Sequence, residues 1–290
     1  MSFAYVKNIF LVVICLFILF REGTCAFACS LLAATGDRLK DGGTLVAMTW
    51  DVPRNIKGEL RLVIPRKGSP YLGLFPLQAK NEGNIVAGLN EPGLVLITAS
   101  VDSKPSKKGF LRRCSLVETI LRSFGTVDAV IANTNLISNA PPLFLIIADK
   151  SKIALIQIGS RGRYTVDCIE NGLLYQTNHY THQNLLRENE IYVENSILRY
   201  NRLQNLLANQ STHFKVEDFL SLADDRGNGP DNSIWRSGSS EKKDRTLARW
   251  VVYLSKNSVP ELYFRLLNPG NNELNYEIKT DKAFWTEGIE

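Results

Sequence analysis

Apolar residues along the chain fall into short runs separated by turn residues, a pattern that predicts β-strands. The first two runs, residues 29–35 and 44–50, are separated by a segment that contains Asp41-Gly42-Gly43, which is typical of a hairpin. Strands therefore dominate both the beginning and the end of the chain. The predicted strands are residues 29–35, 44–50, 59–64, 94–101, 143–148, 152–158, 164–169, 173–176, 249–255 and 262–267.

Helical periodicity is confined to the middle of the chain. Between residues 114 and 124, Leu116, Ile120 and Leu121 recur at a spacing that places them on one helix face. Two blocks of strands with helices grouped between them favour a layered α+β domain in which one sheet packs on another. The predicted helices are residues 114–124, 127–133, 193–207 and 216–223, and residues 227–231 and 236–243 are predicted loops.

The first 28 residues have the pattern of an export signal. Lys7 precedes an unbroken apolar run over residues 9–20, and Ala26-Phe27-Ala28 has the small-x-small form of a cleavage site. A retained membrane anchor is the alternative, but twelve apolar residues span about 18 Å of a hydrocarbon core of about 30 Å. A lipoprotein signal also ends just before a cysteine, although it usually has leucine where Ala26 stands. We expect a cleaved signal over residues 1–28 and one domain over residues 29–290.

Composition and charge exclude several function classes. Hydrophobic residues make up 44% of the chain, as in packed globular proteins, and 34 basic against 29 acidic residues give a net charge of +5. Removing residues 1–28 takes away two basic residues and one acidic residue and leaves +4. That charge is too small and too scattered to predict nucleic-acid binding. No phosphate-binding glycine loop follows a predicted strand and no residues have metal-ligand spacing, so we expect neither a cofactor nor a metal.

Three cysteines remain after cleavage, an odd number for an oxidising compartment. Cys114 and Cys168 could form a disulfide and leave Cys29 as a thiol, or both could be buried thiols. Because Cys114 lies in a helical pattern and Cys168 in a strand pattern, we favour two buried thiols.

As the first residue of a mature protein, Cys29 would supply both a nucleophile and a base. An α-amino group has a pKa of about 7.7–8.0, so a fraction of it is unprotonated at neutral pH. It could accept the thiol proton and later return that proton to a leaving amine. On this feature alone, Cys29 could equally be a small residue that happens to follow a signal site.

Five short motifs follow one another along the chain, and the first begins at the expected cleavage point. The motifs are Cys29-Ser30 with the hairpin that follows, Trp50-Asp51, Gly88-Leu89-Asn90-Glu91-Pro92-Gly93-Leu94, Thr177-Asn178-His179, and Ser196-x-x-Arg199-Tyr200-x-Arg202. Each motif is weak alone, but together and in this order they resemble the linear-amide N-terminal-nucleophile (Ntn) hydrolases. That family includes the choloylglycine hydrolases, the penicillin V acylases and, most similar to this chain, the acyl-CoA:6-aminopenicillanate acyltransferase-like group.

The resemblance implies a four-layer αββα sandwich with Cys29 at the end of a central strand. It implies that Cys29 is the nucleophile and, through its amine, the general base, and that Asp51 hydrogen-bonds the Cys29 end. Asn178 would donate its side-chain amide to the oxyanion, and Arg199 would anchor Asp51 in a charge network. The family position that contributes to the oxyanion hole and contacts substrate lies near Ser100.

Without the resemblance, these residues have ordinary explanations. Asp51 could cap the turn before Pro53, and Asn178 could be a turn residue, since asparagine tolerates left-handed backbone conformations. Arg199 could lie on a solvated helix face. His179 belongs to one of the motifs, but the resemblance implies no catalytic role for it.

The chain departs from the family pattern beside Asp51. The family commonly has Arg-Asn-x-Asp, and this chain has Met48-Thr49-Trp50-Asp51. Met48 would line the substrate pocket and make it less polar, which argues against a bile salt or penicillin V as the substrate. Gln157 also stands where similar sequences often have glutamate.

These features predict a hydrolase of linear amide bonds that acts on a small N-acyl compound through a cysteine acyl-enzyme. Acyl transfer to another amine would use the same nucleophile, and a catalytically degraded binding protein on the same fold is a further alternative. A papain-like thiol protease is disfavoured because the surroundings of Cys29 lack that family's motif. We expect a secreted or periplasmic protein that has no stable membrane association once processed and that could form a homo-oligomer.

We predict that the exported protein begins at Cys29. The small residues Ala26 and Ala28 direct cleavage to that bond. Intact-mass measurement of protein secreted by its host would show the loss of residues 1–28. An active preparation that keeps those residues would exclude the α-amine as the base, because a peptide nitrogen cannot take a proton at neutral pH.

Overall fold

The computed structural model describes residues 29–77, 85–101, 113–189, 194–209 and 213–287. The predicted export signal lies outside the described residues. Within them the chain forms two antiparallel sheets with helices on their outer faces. The strands are β1 (Cys29–Thr35), β2 (Thr44–Val52), β3 (Lys57–Val63), β4 (Tyr71–Leu77), β5 (Ala87–Asn90), β6 (Val95–Ser100), β7 (Leu143–Ala148), β8 (Ile153–Ile158), β9 (Tyr164–Ile169), β10 (Gly172–Gln176), β11 (Arg245–Leu254), β12 (Glu261–Leu266) and β13 (Leu274–Lys279).

In sequence, most helices fall in two groups, one between β6 and β7 and one between β10 and β11. Short 3-10 turns cover residues 36–38, 160–162 and 186–188. The helices are α1 (Arg113–Ser123), α2 (Val127–Ile131), α3 (Thr134–Ser138), α4 (Glu194–Ala208), α5 (Val216–Ala223), α6 (Gly229–Asn232) and α7 (Lys282–Glu287).

The two sheets combine strands that are distant in sequence. The first sheet has the strand order β10-β1-β2-β11-β12-β13, so the strand that begins at Cys29 pairs with β2 on one side and β10 on the other. The second sheet has the order β3-β4-β5-β6-β7-β8-β9. All pairs are antiparallel. Three of the six strands in the sheet that carries Cys29, namely β11, β12 and β13, therefore come from the C-terminal third of the chain.

The side chains of β1 point alternately into two separate cores. Leu31 and Ala33 pack between the sheets, whereas Leu32 and Ala34 pack beneath helices. A strand covered on both faces has no polar face, which explains the unbroken apolar run over residues 29–34.

Helices cover the outer face of each sheet and complete four layers. Leu116 and Ile120 of α1 pack with Leu145 of the second sheet. Phe219 of α5 packs with Leu45 of the first sheet. The predicted α+β fold, a four-layer αββα sandwich, is confirmed.

The hydrophobic pattern did not predict three of the strands, and their composition, length or position in the sheet explains why. β4 contains Gly73 and Pro76, residue types that are depleted in strands, although its side chains are mostly buried. β5 has only four residues. β13 lies at the edge of the first sheet and exposes five of its six side chains, so it has no buried alternation.

The expectation of two buried thiols is wrong for Cys168. Its side chain is exposed on β9, at the edge of the second sheet, and it is a free thiol. An edge strand is only partly covered, so an apolar-looking strand pattern overstated its burial. The side chain of Cys114 lies outside the described part of the chain.

No helix in the described ranges is both long enough and apolar enough to cross a membrane.

We predict that Gly36→Ala destabilises the hairpin after β1 more than Gly270→Ala destabilises its own turn. Both glycines have positive φ, +68° and +76°, which costs an alanine about 1–2 kcal/mol. At Gly36 an added Cβ would also lie 2.5 Å from the Glu170 carbonyl oxygen, whereas nothing lies within 4 Å at Gly270. Urea unfolding of both variants measures the difference, and equal losses would contradict the close packing at Gly36.

Candidate active site

Strand register brings Cys29 to segments that are far away in sequence. Cys29 is the register partner of Trp50 in β2. In the ladder between β1 and β10, Leu31 pairs with Gln176. Continuing that antiparallel register by two residues places Asn178 across from Cys29. The order of the strands therefore assembles the predicted cysteine and asparagine.

Asn178 contacts Cys29 and two other predicted site residues through its side chain. Its Oδ1 accepts hydrogen bonds from the Cys29 backbone nitrogen at 3.1 Å and from Arg199 Nη2 at 2.8 Å. Its Nδ2 donates to the Ser100 carbonyl oxygen at 2.8 Å. The side chain is only 2% exposed. Asn178 is thus an interior residue that connects β1, β6 and α4, and not a solvent-exposed turn residue.

Arg199 is completely buried, which rules out a solvated helix face. Its Nη1 donates to the Cys29 carbonyl oxygen at 2.8 Å and to Ser30 Oγ at 3.0 Å. The guanidinium therefore bonds the Cys29 carbonyl directly, and it also bonds the Asn178 oxygen that accepts from the Cys29 nitrogen. Burial of a cation is costly unless its donors are matched, so these acceptors stabilise the arrangement.

Asp51 is buried beside this group, and its carboxylate is held by a hydroxyl and a second arginine. Its Oδ1 accepts from Thr246 Oγ1 at 2.6 Å, and its Oδ2 lies 3.5 Å from Arg236 Nη1. Burial raises the pKa of the Asp51 carboxyl, while the charges of Arg236 and Arg199 and the Thr246 hydrogen bond oppose that rise. Its connection to Cys29 follows from strand pairing, because Asp51 follows the register partner of Cys29.

Arg236 is a site residue that sequence reasoning missed. It is 2% exposed, although it begins a predicted loop. Its backbone nitrogen donates to Thr246 Oγ1 at 2.8 Å, so the residue is tied to the start of β11. The apolar pair Ile234-Trp235 just before it, which is buried, was the available signal that this stretch enters the interior.

The two predicted substrate-binding residues lie in different environments. Ser100 ends β6 and is 6% exposed, and its carbonyl oxygen contacts Asn178. Met48 has no exposed surface and packs in the core between the sheets. It also lines a small pocket together with Ser30 and Thr49. The structure therefore places Met48 in the interior, where it packs in the core and also lines this small pocket.

The arrangement offers a thiol, a nitrogen held by an amide oxygen, and a set of buried donors. These are the components of acyl transfer at a cysteine. Among the described side chains, no group of three or more His, Cys, Asp or Glu residues could hold a metal ion.

Comparison with known proteins gives a family and a fold. Residues 38–269 match the sequence profile of the family described as acyl-coenzyme A:6-aminopenicillanic acid acyl-transferase. None of the curated proteins compared matches the sequence. The structure is similar to that of a variant of conjugated bile acid hydrolase from Clostridium perfringens, with a TM-score of 0.52 and 15% identity. The match covers 88% of this chain and 98% of that chain.

We predict that Arg236→Gln raises the pKa of the Asp51 carboxyl further. The charge of Arg236 favours the ionised form of Asp51, so without it less opposes the rise in pKa that burial causes. A raised pKa means that the folded protein holds the proton more tightly than the unfolded chain. The stability that protonated Asp51 contributes is therefore lost as the pH rises from 3.8, the ordinary pKa of the carboxyl, through its higher pKa in the folded protein. In the variant, this loss extends to higher pH.

Carbon-13 NMR titration of labelled aspartate carboxyls, together with urea unfolding against pH, measures both effects. Arg245→Gln is the matched control, because Arg245 also lies at the start of β11 but donates to the Leu267 carbonyl oxygen. An Asp51 titration that moves equally in both variants, or in neither, would contradict the pairing with Arg236.

Proposed function

The chain belongs to the acyl-coenzyme A:6-aminopenicillanic acid acyl-transferase family, and from this we propose that it cleaves a linear amide bond in a small N-acyl compound with Cys29 as the nucleophile. Family and fold support an enzyme of the Ntn type, an amide hydrolase or an acyltransferase. The observation that carries the finer proposal is the hydrogen bond between the Cys29 nitrogen and Asn178 Oδ1. It connects the predicted base to the predicted oxyanion donor.

In the proposed first step, the Cys29 α-amine takes the thiol proton. Removal of residues 1–28 would convert the Cys29 nitrogen from a peptide nitrogen into that amine. Asn178 Oδ1, 3.1 Å from the Cys29 nitrogen, would accept one hydrogen of the amine. This bond would keep the lone pair of the amine nitrogen directed toward the Cys29 thiol. The thiolate then attacks the carbonyl carbon of the bound amide.

In the second step, the tetrahedral intermediate carries a negative charge on the former carbonyl oxygen. We assign its stabilisation to Asn178 Nδ2, which has two hydrogens, one of them directed at the Ser100 carbonyl. A donor that is already held in place reorganises little as the charge develops, which is what makes such a group effective. The α-ammonium returns its proton to the leaving nitrogen, and the carbon–nitrogen bond breaks.

The product of these steps is a thioester between the acyl group and Cys29. Attack by water releases a carboxylic acid and restores the thiol. Attack by a second amine instead produces a new amide, which is acyl transfer. The matched family is described as an acyl-transferase and the structurally similar protein is a hydrolase, so both routes belong to the proposal.

Arg199 and Asp51 would act on this chemistry by holding the reacting residue. Arg199 bonds the Cys29 carbonyl and Asn178, so it holds the base and the oxyanion donor in one geometry. The positive charge of Arg199 lowers the pKa of Asp51 and so favours its ionised form. We assign both a positioning and electrostatic role.

Two further expectations remain part of this proposal. The export pattern of residues 1–28 supports a secreted or periplasmic location. The buried, apolar position of Met48 supports an acyl group without a charge near Cys29. A binding protein on an inactive Ntn fold is the rival function, and the variants below separate the two.

We predict that Cys29→Ala abolishes turnover of a fluorogenic N-acyl aminocoumarin amide by the processed protein. Cys29→Ser should lose most of it, because a hydroxyl gives up its proton to a weak amine less readily than a thiol. Cys168→Ala is the matched control, because Cys168 is an exposed thiol away from the site. Mass spectrometry should detect the acyl group on Cys29 in the wild-type protein only. Equal turnover in Cys29→Ala would exclude Cys29 as the nucleophile.

We predict that Asn178→Ala lowers kcat by about 10²–10³-fold, which corresponds to about 2.7–4 kcal/mol of transition-state stabilisation. KM should change little, because the contact strengthens only as the oxyanion forms. The melting temperature should also fall, since the side chain is buried and bonded to three partners. A destabilised variant with unchanged kcat per folded molecule would leave Asn178 with a purely structural role.

A further inference from the structure

A buried hydroxyl bonds the backbone of Asn178, in addition to the contacts of its side-chain amide. Ser196 lies in the first turn of α4 and has no exposed surface. Its Oγ accepts a hydrogen bond from the Asn178 backbone nitrogen at 2.8 Å. The same oxygen lies 2.9 Å from Thr177 Oγ1 and 2.8 Å from His179 Nδ1. Three consecutive residues therefore converge on one serine.

One assignment of the protons satisfies the contacts of Ser196. The Thr177 hydroxyl donates to the Ser196 carbonyl oxygen at 2.9 Å, so Thr177 Oγ1 can only accept from the Ser196 hydroxyl. The Ser196 oxygen then accepts from the Asn178 nitrogen and from His179 Nδ1. A hydroxyl has one hydrogen and two lone pairs, so its capacity is fully used.

The same helix holds Asn178 at a second point. Arg199 is three residues after Ser196, a spacing that places both side chains on one face of α4. Ser196 bonds the backbone nitrogen of Asn178, and Arg199 bonds its side-chain Oδ1. Two points of attachment on one rigid helix restrict both the position of the residue and the rotation of its amide.

The histidine in this group remains a neutral partner at neutral pH. Burial lowers the pKa of His179, and the nearby charge of Arg199 lowers it further. A neutral imidazole with its hydrogen on Nδ1 satisfies the contact with Ser196 and brings no second positive charge next to Arg199.

We propose that Ser196 is a positioning residue, whose hydroxyl holds the Asn178 peptide so that the Asn178 amide is directed at the oxyanion formed on Cys29. This inference rests on the proposed function. Without the hydroxyl, Asn178 keeps its bonds to Arg199, Ser100 and the Cys29 nitrogen, but its backbone loses the attachment that resists rotation. Misplacement of a catalytic group by about 1 Å can reduce rate by about 10²-fold.

The test compares Ser196→Ala with Ser255→Ala in the processed protein, using the same fluorogenic amide. Ser255 is a matched control, because its buried Oγ also accepts from a backbone nitrogen, that of Asn257, at 3.1 Å. It lies just beyond the end of β11 that is remote from Thr246. We expect Ser196→Ala to lower kcat by about tenfold to 10²-fold with KM within about twofold. Ser255→Ala should lose stability alone.

A second measurement separates positioning from general damage. The rate of Cys29 alkylation by iodoacetamide should be similar in wild type and Ser196→Ala, because the thiol and its own contacts are not changed. Ser196→Cys, which keeps a similar volume but offers a weaker acceptor, should show the same loss of kcat if the alanine variant does not fold.

Wild-type kcat in both Ser196 variants would overturn the inference and leave the proposed function in place. A parallel loss of alkylation rate would also overturn it, since the defect would then lie at Cys29. A wild-type protein without turnover on any N-acyl amide would overturn the proposed function, and the positioning role would fall with it.

Discussion

The site depends on the burial of one guanidinium. Arg199 has no exposed surface, so its charge must be matched inside the protein, and its Nη1 and Nη2 atoms donate to the Cys29 carbonyl, Ser30 Oγ and Asn178 Oδ1. An uncompensated charge in this position would cost several kcal/mol, which is a large share of the stability of a domain. Stability and site geometry are therefore the same requirement here, because the contacts that satisfy the cation also align the residues assigned to chemistry.

The sandwich explains why such a site is rigid. β1 lies inside its sheet and is covered on both faces, so Cys29 is fixed by strand pairing on one side and by core packing between the sheets. The surrounding polar groups are held in turn by α4, by the end of β6 and by the start of β11. A second buried arginine, Arg236, supports Asp51 from a segment that follows α6. The buried charges of Arg199, Asp51 and Arg236 thus lie close together within a mostly apolar interior.

Much of the fold could be predicted because apolar periodicity reports burial directly. β1 and β2 have continuous apolar runs since both faces are covered, and α4 and α5 repeat at helical spacing. The prediction of strands or burial was wrong where the composition of a segment does not match its environment in the fold. β4 is buried despite its glycine and proline, and Cys168 is exposed on an edge strand despite an apolar-looking pattern.

The sequence by itself determined the layered α+β class, the family resemblance, and the identity of Cys29, Asp51, Asn178 and Arg199 as the residues to examine. These features are local, because they depend on periodicity and on short motifs. Only the tertiary structure decided which groups touch: that Asn178 lies across from Cys29, that Ser196 and Arg199 hold it from one helix face, and that Arg236 pairs with Asp51. The physical reason is that such contacts are set by strand register and by the packing of segments separated by up to about 195 residues. A charged residue in a polar stretch gives no local sign of whether it will meet water or a buried partner.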